Sequence, residues 1–322
     1  MPHVWFLVIL LICVPFKHAM SLEGAFEINQ ACVETGCFPG DDPGFPVALT
    51  TPGNYVLTSN LTVTEPGTGG IAIPSDYVNL DLRGFAVSGP VRCSGEPVSC
   101  NITDFGGIGI NGSGITFGNT VRNGTVRGFG WGVATDLSWR VTGIVSEQNT
   151  NRGFFIRQGS IVEDSAARFN AGSGFMVGRL GKVIDSTVFR NNTGITTFDT
   201  DPGNGGFGGA TLTGNTIMQN QIGIREHGRA LVLRNSIFRN IDQGILSVNG
   251  GTHLIDNRIM DNGGLGLELS GGSFFAPGGL LSLLRGNQLS NNAGSLDGAQ
   301  IGGAGSFSES GINFCGVDMN CP

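Results

Sequence analysis

The stretch VIDSTVFRNNTGITTF, residues 183 to 198, resembles no active-site motif, yet its order of residue types recurs. LTGNTIMQNQIGIREH starts at Leu212, VLRNSIFRNIDQGILS at Val232 and LIDNRIMDNGGLGLEL at Leu254. With the recurring Asn as position zero, the repeat falls at Asn149, Asn170, Asn191, Asn220, Asn240, Asn262 and Asn291, at intervals of 21, 21, 29, 20, 22 and 29. The two long intervals carry Gly-rich insertions, at 199–209 and 271–279. The underlying period is therefore about 21 residues with two loops spliced in.

The columns of this repeat agree with one another. Five residues before the Asn stand Ser165, Ser186, Asn215, Asn235 and Asn257, and three before stand Ala167, Val188, Ile217, Ile237 and Ile259. A Gly follows at 153, 174, 194, 223, 244 and 266, each with an apolar residue after it. Apolar alternation over two or three places before a turn residue predicts short strands rather than helices. One such unit cannot bury its apolar face, whereas stacked units bury it continuously. The expected fold is all-β: a single-stranded right-handed parallel β-helix with about 21 residues per coil. In it, inward Asn side chains bond one another from coil to coil, and the Gly column supplies turn dihedrals.

The chain then resembles the bacterial right-handed parallel β-helix proteins of pectate-lyase-like topology. The resemblance rests on the repeat, on GNYVLTSNLTV at 53–63 and on IAIPSDYVNLDLRGFAVSGP at 71–90, and covers roughly residues 50 to 300. It implies the fold but no single activity, since the family includes lyases, hydrolases, epimerases and non-catalytic proteins. The acidic clusters and the HG-with-RxK sets that such enzymes use have no counterpart in the repeats, so no catalytic residue is assigned.

Composition agrees with many short strands: 322 residues, 55 of them Gly, with 13% charged. The net charge of −7 and the absence of a basic, aromatic-interleaved patch exclude nucleic acid as an expected partner. Residues 4 to 16, VWFLVILLICVPF, have the length of a signal-peptide core and are short for a bilayer span. The expected organisation is a signal peptide at 1–20, an N-terminal cap at 21–52, the β-helix at 53–304 and a C-terminal cap or tail at 305–322. The protein is expected to be secreted or periplasmic, with no membrane span once the signal is removed. Six further cysteines permit 15 pairings. Their spacing favours neighbours: Cys32 with Cys37, Cys93 with Cys100, and Cys315 with Cys321. No metal site or cofactor is expected. GIGING at 107–112 matches a nucleotide-loop pattern, but without a βαβ context it reads as chance.

Chemistry is expected where the insertions leave the repeat. There Arg225, Glu226 and His227 fall at the phase at which the first insertion opens with Asp199 and Asp201. A His beside a carboxylate suits proton transfer, and an Arg suits an anionic sugar. These five residues form the expected substrate-binding set. The outer row Phe189, Met218, Phe238 and Met260 reads as corner packing. The expected partner is a polysaccharide or cell-surface glycan, held by a binding or surface-structural module. The alternative is a polysaccharide-active lyase, hydrolase or epimerase working between the insertions.

Overall fold

The structure is a computed structural model that describes residues 24–101, 106–198, 209–227, 229–248, 251–269, 282–292, 301–303, 307–309 and 314–315. Among these residues the chain winds into coils of three flat faces. Face 1 includes strands Ile161–Glu163, Lys182–Ile184, Thr211–Thr213, Leu231–Leu233 and His253–Ile255. Face 2 includes Ala166–Arg168, Thr187–Phe189, Thr216–Met218, Ser236–Phe238 and Arg258–Met260. Face 3 includes Trp131–Ala134, Arg152–Ile156, Ser173–Val177, Thr193–Thr197, Ile222–Glu226 and Ile245–Ser247. Faces 1 and 2 share one bent sheet; face 3 is a second sheet. Every pairing between coils is parallel, and like positions stack on like.

That register builds the core. Val162, Val183, Leu212, Val232 and Leu254 form one inward column, and Ala167, Val188, Ile217, Ile237 and Ile259 form another. On face 3 the column is Phe154, Phe175, Ile195, Ile224, Ile245 and Leu267, its two phenyl rings stacked at 4.6 Å. All of these side chains are buried. Each full-sized one contributes about 1.5–3 kcal/mol relative to exposure.

Two polar ladders run through the corners. Asn149, Asn170, Asn191, Asn220, Asn240 and Asn262 each donate from Nδ2 to Oδ1 of the next coil's Asn, over 2.7–3.1 Å, the last rung ending on Asn292. The second ladder is the column five residues earlier, where Asn215, Asn235, Asn257 and Asn287 bond in the same way at 2.9–3.1 Å. Ser186 joins it by donating its backbone N–H to Asn215 Oδ1. The ladders satisfy backbone donors too, since Asn240 N–H donates to Asn262 Oδ1. Left unpaired in this core, those groups would cost about 1–3 kcal/mol each.

Two sequence-based expectations need correction. The last Asn of the column is Asn292, not Asn291: Asn262 bonds Asn292, while Asn291 takes a left-handed φ of 54°. It occupies the turn position that Phe169, Arg190, Gln219, Arg239 and Asp261 hold in other coils, all at φ between 50° and 55°. The bonded Asn that follows holds each residue in this sparsely populated region. The Gly column, by contrast, does not supply turn dihedrals, because none of Gly153, Gly174, Gly194, Gly223 and Gly244 has a positive φ. These glycines permit close approach. A Cβ on Gly174 would lie 2.7 Å from Gly194 O and 2.9 Å from Asn191 Nδ2.

The segment expected as an N-terminal cap contributes strand Phe26–Ile28 to the bent sheet, Val47–Ala48 to face 3 and a short helix, Gln30–Val33. Asp41 braces it by accepting from Cys37 N–H at 2.9 Å and Ala48 N–H at 2.8 Å. The Cys32–Cys37 and Cys93–Cys100 disulfides are formed. Cys321 lies outside the described residues, as do the expected signal peptide and nearly all of both insertions. GIGING is part of a face 3 strand, Ile108–Gly112. Phe189, Met218, Phe238 and Met260 lie in register on face 2, half-buried on its outer side.

Candidate functional site on the outer side of face 3

Strand Ile222–Glu226 carries the expected site into the structure and separates its members. Ile224 points inward, Arg225 is half-exposed on the outer side, and Glu226 points inward again with 0% exposure. Its carboxyl accepts from Ser247 Oγ at 2.9 Å, from Ala230 N–H at 3.3 Å and from Thr252 Oγ1. Glu226 is thus a buried carboxyl held between coils, and its expected partner His227 is half-buried at the end of the strand. Strand alternation imposes this. A residue at the inward phase takes its polar group into the core, where hydroxyls from the next coil must satisfy it.

His227 anchors its backbone N–H on Thr197 Oγ1 at 3.1 Å. Burial, and secondarily the positive charge of Arg225, holds its imidazole below the usual histidine range, so it is neutral at neutral pH. Arg225 lies in register between Thr196 and Leu246, and its Nε is buried with no hydrogen-bond partner among the described residues. Asp199 and Asp201 lie outside the described residues. The strands flanking both insertions show one corner: Thr193–Thr197 and Leu267–Leu269 end face 3, and Thr211–Thr213 and Ser282–Arg285 begin face 1.

A second group of residues on the same side escaped the reading of the repeat. The Trp131 ring lies 5.0 Å from that of Phe155, and Phe198 stacks on Phe155 at 5.4 Å with 16° between planes. Phe198 reaches Phe155 across the intervening coil at Gly178, where a Cβ would come within 3.0 Å of the ring. The Arg152 guanidinium sits 4.6 Å from the Trp131 centroid and 5.1 Å from that of Phe155. Arg157 lies 5.7 Å from the Phe155 centroid, with its NH1 3.4 Å from the buried carboxylate of Asp136. No carboxylate among the described residues pairs with Arg152, and burial holds its guanidinium below its ordinary pKa while leaving it charged. Trp131 Nε1 is buried and has no acceptor among the described residues.

These residues do not repeat, which is why no column discloses them. Trp131 is in register with Arg152, Phe155 occupies the neighbouring outer column, and Phe198 follows the end of its strand. Among the described residues there is no cluster of three or more His, Cys, Asp or Glu that would hold a metal ion.

No family model and no curated protein matches the chain. Solved structures do. The chain is similar to the A-module of Azotobacter vinelandii mannuronan C-5 epimerase AlgE6, with a TM-score of 0.55, 16% identity, and coverage of 90% of this chain and 82% of that one. It is similar to the tailspike of E. coli bacteriophage HK620, solved as a mutant with a pentasaccharide, with a TM-score of 0.60 and 14% identity over 81% of this chain and 55% of that one. The periplasmic alginate epimerase AlgG matches with a TM-score of 0.53 and 16% identity, over 89% of this chain and 75% of that one. The chain is a right-handed parallel β-helix protein. It spans just over half the length of the tailspike it resembles. At these identities the likeness shows the fold alone, so the chemistry of this β-helix must be read from its own residues. Those of face 3 form an outer surface of three aromatic rings flanked by guanidinium groups. Such a surface can pack the apolar face of a ring and hydrogen-bond its substituents.

Proposed function

We propose that this β-helix protein is exported and binds a glycan on the outer side of face 3. The observation that carries the reading is the contiguous Trp131–Phe155–Phe198 patch with Arg152 over it, an amphipathic surface where solenoid stacking alone would accept small polar residues. Similar folds serve a mannuronan epimerase and a tailspike bound to a pentasaccharide, which agrees with the reading. Export rests on the apolar run at 4–16 and on two disulfides, which persist in oxidising compartments. Among the described residues no helix is long and apolar enough to cross a membrane. The proposal includes a signal peptide at 1–20, a tail at 305–322 and a third bridge, Cys315–Cys321.

Affinity electrophoresis against a polysaccharide panel tests the reading. Retardation by at least one glycan is expected, and Trp131→Ala should weaken it about tenfold or more, the loss typical of an aromatic anchor. Arg258→Ala, on face 2, should leave it unchanged. If no glycan retards the native protein, the proposal fails.

A neutral His227 beside Arg225, at the corner where the first insertion leaves, favours an enzymatic second reading. Incubating the protein with the same panel and assaying for new reducing or unsaturated ends tests it.

A further inference from the structure

Four buried side-chain polar atoms lack a hydrogen-bond partner among the described residues, and all four are donors: Trp131 Nε1 and the Nε atoms of Arg179, Arg190 and Arg225. Three of them belong to face 3 or to the turn that ends it. Trp131 and Arg225 lie on the outer side of face 3, and Arg179 follows Gly178, the residue over which Phe198 lies. Arg190, at the opposite corner, has Glu96 3.9 Å away. The outer side of face 3 thus carries unpaired donors along the stretch from Trp131 to Arg225.

The arginines sharpen the point. Arg122, Arg127, Arg140, Arg157, Arg168 and Arg190 each have a carboxylate within 4.0 Å. Arg92, Arg234, Arg239, Arg258 and Arg285 have none among the described residues but are exposed to water, whereas Arg152, Arg179 and Arg225 have none and are half-buried, in a protein whose net charge of −7 makes acids plentiful. A partly desolvated guanidinium without a counter-ion is unfavourable unless a ligand supplies one. Its planar donor fork matches the oxygens of a carboxylate or sulfate. We infer that the ligand of face 3 is a polyanionic glycan whose carboxylate or sulfate groups meet Arg152, Arg179 and Arg225.

The geometry sets the direction of that chain. Four coil-to-coil steps separate the strand of Trp131 from that of Arg225, roughly 19 Å at the spacing of paired strands. The arginines are therefore spread along the solenoid axis, so a ligand that engages all three runs parallel to the axis. Glu268, two coils beyond Arg225 in the same outer column, closes the track with a repelling charge.

This inference rests on the glycan reading above, and one titration separates the two. The probes are a polyuronate oligosaccharide, the same oligosaccharide with its carboxyls reduced to alcohols, and a sulfated form of the reduced chain. Calorimetry of the native protein should give about tenfold or greater preference for an anionic probe over the reduced one, falling steeply with salt. The anionic arm that binds tighter identifies carboxylate or sulfate as the group. Arg152→Gln and Arg225→Gln should each shrink the preference, whereas Arg258→Gln should not. Equal affinity for the anionic and reduced probes overturns the inference and leaves the glycan reading standing. Binding of none overturns both. If either face 3 variant fails to fold, the native preference and the other variant decide.

Discussion

Asn191 Nδ2 donates to Asn220 Oδ1 across 3.0 Å although 29 residues separate the two in sequence. The neighbouring rung, Asn170 to Asn191, spans 21 residues at 2.8 Å. The first insertion is thus spliced in without disturbing the ladder, because the chain leaves at the face 3 to face 1 corner, away from the Asn. A long loop costs little extra closure entropy once both of its ends are held.

The ladder should carry stability in proportion to its broken bonds. Asn240→Leu removes the acceptor of Asn220 N–H and Nδ2 and the Nδ2 donor to Asn262 Oδ1, while the backbone N–H of residue 240 stays. A loss of about 2–4 kcal/mol in urea unfolding is expected, and about the same for Asn191→Leu. Asn54→Leu, an exposed site with one 3.2 Å bond from Asn79, should stay within about 0.5 kcal/mol. Equal losses at all three positions would contradict a buried ladder.

Glu226 should act on folding and not on ligand. Its carboxyl is the acceptor for Ser247 and Thr252. Glu226→Leu therefore leaves two buried hydroxyls without it, at about 1–3 kcal/mol each. The folded fraction of this variant should bind glycan as the native protein does; a loss of affinity at unchanged stability would return Glu226 to the site.

His227 gives a pH dependence of defined sign. Its folded pKa lies below the ordinary 6.5, so the unfolded chain takes up the proton first. The neutral folded form is fully favoured above 6.5, and stability falls as pH drops through 6.5 toward the folded value. Urea midpoints taken near pH 8 and near pH 5 should therefore differ less for His227→Gln than for the native chain. The side chain is half-buried, so the difference is modest. An unchanged pH dependence would contradict the assignment.

The solenoid was legible because its physics repeats. The columns of Val188, Asn191 and Gly194 each return at every coil, and the parallel register stacks them in space as the sequence aligns them. Two details failed at the level of atoms. Asn291 and Asn292 are adjacent and identical, so only backbone φ tells the turn residue from the ladder residue. A Gly required by crowding reads in sequence like one required by a turn. The site was the least legible part. Glu226 and His227 look like a pair only while strand direction is ignored, and the Trp131–Phe155–Phe198 patch arises from contacts between different columns. Functional residues on a solenoid break its period, so a reading built on periodicity passes over them.

The equivalence of Asp164–Ser165 and Asp185–Ser186 has a consequence for ancestry. Both pairs sit at the same left-handed corner, with φ of 48° and 47° at the aspartates, and Ser165 bonds Ser186 as Ser186 bonds Asn215. Excising residues 165–185 would join Asp164 directly to Ser186 and keep every remaining rung. It would also delete strand Ser173–Val177 and with it the coil that Phe198 spans to reach Phe155. Duplicating that block would lengthen the same interval by one coil. Descent by whole-coil gain and loss can therefore change the reach of the outer surface like the gauge of a ruler, while the interior stays constant.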